Sequence, residues 1–161
     1  MPAQVILLRH AEKPYPDEGA HLSEQGYARA RAWAGYFSGD PGVNRFGKVA
    51  ALYAMRPKDP EGSVRAIETL EPASSALGIP IRAEYRREEV DPLVREILES
   101  PSLNARTVVI CWEHKMLPVL ARAFGAAGAP ERWPGDVFDQ VWFLVPSSSG
   151  TAFRSIRTDP Q

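Results

Sequence analysis

The sequence predicts an α/β fold, a three-layer α/β/α sandwich around a mainly parallel central sheet. Short apolar runs alternate with amphipathic segments of helical period up to about residue 124, which is typical of parallel strands joined by helices. The runs at residues 5–8 and 108–111 contain no charged residue, as expected for parallel strands that are covered on both faces. With 161 residues and no long linker, the chain is expected to form one domain spanning residues 1–161.

Six segments are predicted to be strands because they are short, apolar and bounded by turn-forming residues. The last two are separated by P-S-S-S-G, so we expect them to form a hairpin. In chain order, the predicted strands cover residues 4–8, a segment within residues 48–55, and residues 79–83, 107–112, 141–145 and 151–156.

Capping residues predict where the helices begin. Ser23 and Ser63 are typical N-caps, and Asp91 followed by proline is a typical N-cap and first-turn pair. Leu22 and Tyr27 have the spacing of a hydrophobic staple around the first cap. A fourth helix follows the strand at residues 107–112. The predicted apolar faces are Tyr27, Ala30, Ala34 and Phe37; Ile67, Leu70 and Leu77; and Leu117, Leu120, Ala121 and Phe124.

Composition limits the partners, cofactors and compartment that we expect. The 19 Lys and Arg residues nearly balance the 20 Asp and Glu residues, so no overall charge favours nucleic acid or an anionic membrane. Cys111 is the only cysteine, so an intramolecular disulfide is excluded, and we expect a small buried apolar residue. The chain shows no signal peptide and no apolar run of about 20 residues, which predicts a cytoplasmic protein. The three histidines are widely separated, so neither a metal nor another cofactor is expected.

Two arginines and two histidines are predicted to lie where strands give way to helices. Arg9 and His10 end the first strand, His114 follows the strand at residues 107–112, and Arg65 lies in the first turn of a helix. The carboxyl ends of parallel strands and the N-termini of the helices that follow them favour anions. Because one arginine guanidinium can donate two parallel hydrogen bonds to two phosphate oxygens, a dianionic phosphoryl group is the expected ligand.

Four segments around these residues resemble the histidine phosphatase superfamily, which has the phosphoglycerate-mutase-like fold. They read L-L-R-H-A-E, L-S-E-Q-G-Y-A-R-A, S-V-R-A-I-E-T-L and V-V-I-C-W-E-H. All four occur in the family's order and together reach from Val5 to about Phe124. Chain length and the lack of long insertions are similar to the small phosphohistidine-phosphatase-like branch.

The resemblance implies a metal-independent phosphatase and assigns a role to each of the four residues. His10 is the implied nucleophile, which forms a phosphohistidine intermediate. Arg9 and Arg65 are implied to bind the phosphoryl oxygens together with the two histidines, and His114 to stabilise charge in the transition state. These roles agree with elementary chemistry, because neighbouring arginines lower the pKa of an imidazole and keep it neutral and nucleophilic.

The sequence departs from the family's pattern beside the second arginine and the second histidine. An insertion at residues 56–62 precedes Arg65, which makes Arg56 a competing candidate, although the surrounding motif fits Arg65 better. The second histidine lies in W-E-H-K rather than S-H-G. In an extended strand, Glu113 and His114 would point to opposite sides, so Glu113 is not expected to orient His114 directly.

The proton donor is not fixed by the sequence. Glu89 is the candidate that the resemblance favours, with Glu88 beside it, although both also fit a solvated charged run. Asp17 and Glu18 in the first loop are further candidates, as is Glu113. Without a general acid, the resemblance favours a substrate whose leaving group departs easily, such as a phosphohistidine. With Glu89 as the acid, it favours a small-molecule phosphomonoester.

The leading hypothesis is therefore a phosphatase whose substrate is a phosphorylated small molecule or a phosphoprotein, with the oligomeric state left open. The rival is a non-catalytic module of the same fold that binds a phosphate or a phosphoprotein. Among the remaining residues, His21 is expected at the surface, and Asp136 and Asp139 are candidates for the mouth of the pocket. The aromatic residues expected in the core are Trp133, Phe138, Trp142 and Phe143.

Overall fold

A computed structural model, which describes residues 1–16 and 19–158, shows a six-stranded mixed sheet with four α-helices. A short 3₁₀ helix, Pro101–Leu103, follows the third α-helix. The strands are β1 (Gln4–Arg9), β2 (Ala51–Ala54), β3 (Ile81–Arg82), β4 (Thr107–Trp112), β5 (Gln140–Val145) and β6 (Ala152–Arg157). The helices are α1 (Glu24–Gly39), α2 (Arg65–Leu77), α3 (Val90–Glu99) and α4 (Leu117–Ala123).

The strand order in the sheet is β3-β2-β4-β1-β5-β6. The first four strands of that order run parallel to one another, whereas β5 is antiparallel to both β1 and β6. The predicted α/β class with a mainly parallel sheet is therefore confirmed. The predicted C-terminal hairpin is formed by β5 and β6.

Two apolar cores lie on opposite faces of the sheet, because successive strand residues point to opposite sides. Leu7 and Ile110 belong to the core that α3 and α4 cover. Ile6 and Val109 belong to the core that α1 and α2 cover. Every residue of β1 and β4 is buried, which explains why their sequences show no polar face. The sheet is thus the middle layer of three.

Two helices begin at other residues than their capping signals predict. The N-cap of α2 is Val64, which has no side-chain capping hydrogen bond. The Ser63 hydroxyl accepts a long hydrogen bond, 3.4 Å, from the Arg65 backbone nitrogen. Helix α3 already begins at Val90, so Pro92 lies in its first turn. Proline is accommodated there because the first N–H groups of a helix have no partner within the helix.

Helix α1 begins as predicted, but one residue of its predicted apolar face is wrong. The Ser23 hydroxyl accepts a hydrogen bond from the Gly26 backbone nitrogen at 3.1 Å, which confirms the cap. Tyr27 is exposed, and its hydroxyl donates to Glu68 at 2.6 Å instead of forming an apolar staple. Trp33, which the predicted face omitted, is buried.

The register of the parallel strands brings three chain segments to one edge of the sheet. Arg9 lies opposite Trp112, and Ala54 lies opposite Cys111. The residues that follow β1, β2 and β4 are therefore neighbours at this edge, where α/β folds bind ligands. Within residues 1–16 and 19–158, the structure contains no helix with the length and apolarity needed to span a bilayer.

Candidate active site

The structure brings the four predicted residues together at the carboxyl edge of the sheet. Arg9 and His10 are 3% and 8% exposed at the end of β1, and Arg65 is 7% exposed at the first position of α2. His114 is half-buried in the turn after β4. Arg9, Arg65 and His114 are all close enough to interact electrostatically with the His10 imidazole. The motifs that lie far apart in the sequence thus form one cluster.

His10 has the tautomer and the charge state of a nucleophile. Its Nδ1 atom lies 2.7 Å from the Ala11 carbonyl oxygen. Because a carbonyl oxygen only accepts, Nδ1 carries the hydrogen, and Nε2 of the neutral ring keeps its lone pair. Burial, with smaller contributions from Arg9, Arg65 and His114, lowers the pKa of His10 to about 4 against the opposing effect of the hydrogen bond to Ala11. The ring is therefore neutral at pH 7.

Thr69 anchors the loop that carries His10, and sequence reasoning missed it. Its hydroxyl accepts a hydrogen bond from the Ala11 backbone nitrogen at 2.9 Å and donates to the Arg65 carbonyl oxygen at 2.7 Å. It thereby ties the chain after His10 to the first turn of α2. Thr69 follows Arg65 by four residues and so lies on the same helix face, a spacing that could have indicated it.

Arg9 presents a buried guanidinium group to the cluster. One terminal nitrogen donates to the Gly135 carbonyl oxygen at 2.7 Å, and the Phe138 ring centroid lies 3.9 Å from Cζ. Phe138, predicted in the core, is half-buried and stacks on this cation. Burial lowers the pKa of Arg9 to about 10, and neighbouring carboxylates that include Asp136 oppose this shift. The Arg9 guanidinium group is therefore charged at neutral pH. Asp139, the other aspartate predicted at the mouth of the pocket, forms an ion pair with an arginine of β6.

The Nε atom of Arg9 is buried and has no hydrogen-bond partner among the described residues. Buried donors in native proteins are almost always satisfied, so an unsatisfied one indicates a ligand group. A phosphoryl oxygen is an acceptor suited to a guanidinium. This feature agrees with the predicted role of Arg9 in phosphate binding.

Arg65 is held by the loop that precedes α1. Its Nε donates to the His21 carbonyl oxygen at 3.0 Å, and a terminal nitrogen donates to the Gly19 carbonyl oxygen at 2.8 Å. Glu68 fixes this loop, because it lies 2.8 Å from Nδ1 of His21, which is exposed as expected. Arg56, the competing candidate for the second arginine, is exposed and lines a separate cavity.

Glu113 lies beside His114, contrary to the expectation from an extended strand. Because β4 ends at Trp112, the backbone turns at Glu113, whose Oε1 atom lies 3.5 Å from Nδ1 of His114. This separation is longer than a hydrogen bond, and Nδ1 of His114 has no partner among the described residues. Burial and the charge of Arg9 lower the pKa of His114, and Glu113 opposes them.

The predicted proton donors lie in different places. Glu89 is exposed, and its Oε1 accepts a hydrogen bond from the Arg86 backbone nitrogen at 2.9 Å. Glu88 is also exposed and pairs with Arg87 at 2.9 Å. Hydrogen bonding to Arg87 lowers the pKa of Glu88, so this side chain is a carboxylate at neutral pH.

Asp17 and Glu18 lie outside the described residues. Cys111 is fully buried next to the site, and burial raises the pKa of its thiol, which therefore stays protonated. Among the residues that the structure describes, no three His, Cys, Asp or Glu side chains converge in a way that could hold a metal ion.

Solved structures share this fold over nearly the whole chain. Mycobacterial glucosyl-3-phosphoglycerate phosphatase, with inorganic phosphate, matches with a TM-score of 0.63 and 15% identity over 97% of this chain and 96% of its own. The proposed phosphohistidine phosphatase SixA of Agrobacterium tumefaciens matches at 0.59 and 18% identity, over 90% and 92%. The proposed α-ribazole-5′-phosphate phosphatase of Escherichia coli matches at 0.64 and 11% identity, over 96% of both chains.

No protein-family model and no curated protein sequence matches this chain. The likeness is therefore one of three-dimensional structure, at identities of 11–18%. It extends to the mixed sheet and to the helices on both of its faces. The chain has the phosphoglycerate-mutase-like α/β fold that these solved structures share.

Proposed function

We propose that this protein is a histidine phosphatase that hydrolyses its substrate through a phosphohistidine intermediate on His10. One observation carries the proposal: a neutral His10, with its Nε2 lone pair available, lies in the field of Arg9 and Arg65. An uncharged imidazole flanked by two guanidinium groups can attack a phosphoryl group whose oxygens those groups bind. The substrate class is a phosphomonoester or a phosphohistidine.

In the first step, Nε2 of His10 attacks phosphorus while the bond from phosphorus to the leaving group breaks. The electron pair of that bond departs with the leaving group. Arg9, Arg65 and His114 stabilise the charge on the phosphoryl oxygens. The His10 ring becomes positively charged as it is phosphorylated, so its Nδ1–H bond to the Ala11 carbonyl oxygen becomes charge-assisted and stronger.

In the second step, water attacks phosphorus and the bond from phosphorus to nitrogen breaks. Inorganic phosphate leaves, and His10 returns to its neutral form. The same side chains, two charged arginines and the N–H group of His114, stabilise both transition states, because the same phosphoryl oxygens bear the charge each time. Electrostatic stabilisation by arginine supplies the charge neutralisation in this scheme, and no metal ion is part of it.

The leaving group determines how much the reaction needs an acid. Glu88 is held as a carboxylate by Arg87, and Glu89 accepts a backbone hydrogen bond at the start of α3. A general acid contributes about 10²–10⁴ in rate for a poor leaving group. Aryl phosphates, acyl phosphates and phosphohistidines need less help, so we propose them as the best substrates. The phosphatase names of structures that share the fold support the reaction class.

A rapid-quench reaction with p-nitrophenyl phosphate, followed by intact mass and peptide mapping, tests the proposal. We expect an acid-labile, base-stable phosphoryl adduct on His10. The His10→Ala variant should lose the adduct and at least about 10³ in turnover, since the nucleophile is missing. His21→Ala is the matched control and should retain activity, because Arg65 binds the backbone carbonyl of residue 21 and Glu68 still binds the Leu22 backbone nitrogen.

Unchanged hydrolysis by His10→Ala would refute the mechanism. Acetyl phosphate and a phosphohistidine peptide extend the test to easier leaving groups. If none of the three substrates yields an adduct or a product, the proposal of a phosphatase fails, and a phosphate-binding module takes its place.

A further inference from the structure

A second cavity lies beside the candidate active site, and we call it the basic cavity. Its volume is about 450 Å³, against about 220 Å³ for the cavity next to His114. Small-molecule sites occupy roughly 300–1,000 Å³, so the basic cavity has room for more than a single anion. The segment after β2 and the segment before α3 form its walls. It is lined by Met55, Arg56, Pro57, Lys58, Ser63, Arg86, Arg87 and Glu88.

The walls carry four cationic side chains and one carboxylate. The carboxylate, Glu88, is bound by Arg87. In residues 1–16 and 19–158, the side chains of Arg56, Lys58 and Arg86 have no hydrogen-bond or ion-pair partner. Arg56 and Arg86 are thus available to an anion in this cavity, while the charge of Lys58 also acts on Glu88.

The backbone holds two of these cations next to each other. Arg56 and Arg86 form an isolated parallel β-bridge, and the Arg56 backbone nitrogen donates to the Tyr85 carbonyl oxygen at 2.7 Å. Like charges on directly opposed residues repel each other and destabilise the pairing. An anion bound between the two arginines would relieve that repulsion, so this arrangement favours an anionic ligand.

The basic cavity adjoins the candidate active site on two sides. Ser63, in its wall, lies next to the start of α2, where its hydroxyl is 3.4 Å from the Arg65 backbone nitrogen. Arg87, in the opposite wall, donates to Glu113 at 3.0 Å, and the other carboxylate oxygen of Glu113 lies 3.5 Å from His114. Residues that line the basic cavity are thus in direct contact with residues next to the candidate active site.

We propose that the basic cavity binds a second anionic group of the substrate, a carboxylate or a second phosphate of a small organic phosphate. Met55 and Pro57 supply apolar surface for the carbon skeleton that joins the two anionic groups. This proposal rests on the proposed phosphatase function. It adds substrate selection by residues 56–58 and 86, which take no part in phosphoryl transfer.

Matched substrates test the proposal: 4-carboxyphenyl phosphate and its neutral, nearly isosteric amide, 4-carbamoylphenyl phosphate. For the wild-type protein, we expect kcat/KM to be roughly ten-fold higher for the carboxylate, mainly through KM, because of a charge-assisted contact. The double variant Arg56→Gln/Arg86→Gln should reduce this ratio to near one. Arg31→Gln/Arg95→Gln removes the same charge from exposed positions on α1 and α3 and should keep the ratio.

The outcomes separate this proposal from the proposed function. Hydrolysis of both substrates with equal kcat/KM in the wild type, or with the same ratio in the double variant, overturns the basic cavity alone. If neither substrate is hydrolysed, the rapid-quench experiment decides the proposed function, and calorimetric titration of the wild-type protein tests the cavity directly. Tighter binding of the carboxylate than of the amide supports it, and equal binding overturns it. If the double variant loses its near-ultraviolet circular dichroism, Lys58→Met replaces it, with a smaller expected reduction.

Discussion

His10 is positioned by a hydrogen bond that fixes its tautomer and by charges that keep it unprotonated. The Ala11 carbonyl oxygen accepts from Nδ1, and this bond favours protonation of the ring. Burial and the neighbouring cations outweigh that hydrogen bond, since the pKa of His10 is about 4. The residue is therefore held in one orientation without losing its nucleophilic form.

The ring resonances of His10 should titrate near pH 4 in the free protein. Below that pH the ring is protonated and cannot attack, so the acid limb of phosphatase activity should lie well below the ordinary histidine value of 6.5. Arg65→Gln should raise the pKa, because it removes a positive charge that opposes protonation. Ring carbon and proton chemical shifts, measured by NMR against pH, check both expectations. Titration of His10 near 6.5 in the wild type would contradict them.

Thr69→Val should weaken both stability and catalysis. The substitution keeps the shape of the side chain but leaves the Ala11 backbone nitrogen without its acceptor in a buried place. An unsatisfied buried group costs about 1–3 kcal/mol in the free energy of unfolding. Urea denaturation measures that loss, and kcat with p-nitrophenyl phosphate measures the misplacement of His10. Thr69→Ser retains the hydroxyl and is the control; equal stability of the Val and Ser variants would count against the anchoring role.

The sequence predicts a site residue well where a local motif places it at the end of a buried strand or the start of a helix. Arg9, His10 and His114 fulfil this condition, since β1 and β4 lie side by side. Phe138 and Gly135 do not, because they contact Arg9 across about 126 residues of chain and follow no strand or cap signal. The side of the chain on which Glu113 lies was predicted wrongly, because β4 ends one residue before it, although Glu113 forms no hydrogen bond to His114, as expected.

At the scale of elements, α1 docks against the loop that follows His10. The Ser23 backbone nitrogen and hydroxyl both donate to the Glu12 carbonyl oxygen, at 2.9 and 3.1 Å. The Glu12 side chain binds Arg29 of α1 at 2.8 Å. A Cβ atom at Gly26 would overlap the Glu12 carbonyl oxygen, so the absence of a side chain permits this close approach. Helix α1 therefore helps to fix the loop that follows His10.

Gly26→Ala should destabilise the protein although alanine is the better helix former. The backbone overlap forces α1 away from the loop, at a cost of about 1–3 kcal/mol or more. Gly35→Ala lies in the same helix with open space around it and should stabilise the protein by about 1 kcal/mol. Chemical denaturation of the two variants gives the comparison. A shift of the same sign in both would mean that helix propensity, rather than docking, decides the outcome.

Elements were predicted best where burial is uniform along the segment. Strand β4 occupies residues 107–112 as predicted, because all six residues are buried and the run has sharp ends. The predicted strand at residues 79–83 shortens to Ile81–Arg82, since β3 is the edge strand and pairs only with β2. Helix starts differ from the predicted ones by one or two residues where a tertiary contact replaces a side-chain cap. At the start of α2, for example, the Val64 backbone nitrogen donates a hydrogen bond to the Ala20 carbonyl oxygen.

At the scale of the whole molecule, the buried neutral histidine makes stability depend on pH. The folded-state pKa of His10 is lowered to about 4, whereas the unfolded chain binds the proton near 6.5. Between these values the unfolded chain binds more protons, so the free energy of unfolding rises with pH. The shift corresponds to about 3 kcal/mol that is present above pH 6.5 and absent below pH 4.

His10→Gln should flatten this part of the stability curve. Urea denaturation at a series of pH values measures the slope for the wild type and for the variant. The variant keeps whatever slope His114 contributes, because the pKa of His114 is also lowered. Parallel curves for the two proteins would show that His10 is not the group responsible.

The strand order also determines when the fold can be completed as the chain leaves the ribosome. Strand β1 precedes the other strands in the chain, yet it pairs only with β4 and β5. Gln4 therefore cannot form its strand pairing until Thr107 has been synthesised. Until residue 107 has been made, the sheet is limited to the short β2–β3 pairing. Closing the loop between β1 and β4 carries an entropic cost that later strands must offset. The apolar β1 segment therefore has no strand partner until β4 is available, and His10 can take its place beside the turn that carries His114 only after β4 has paired with β1.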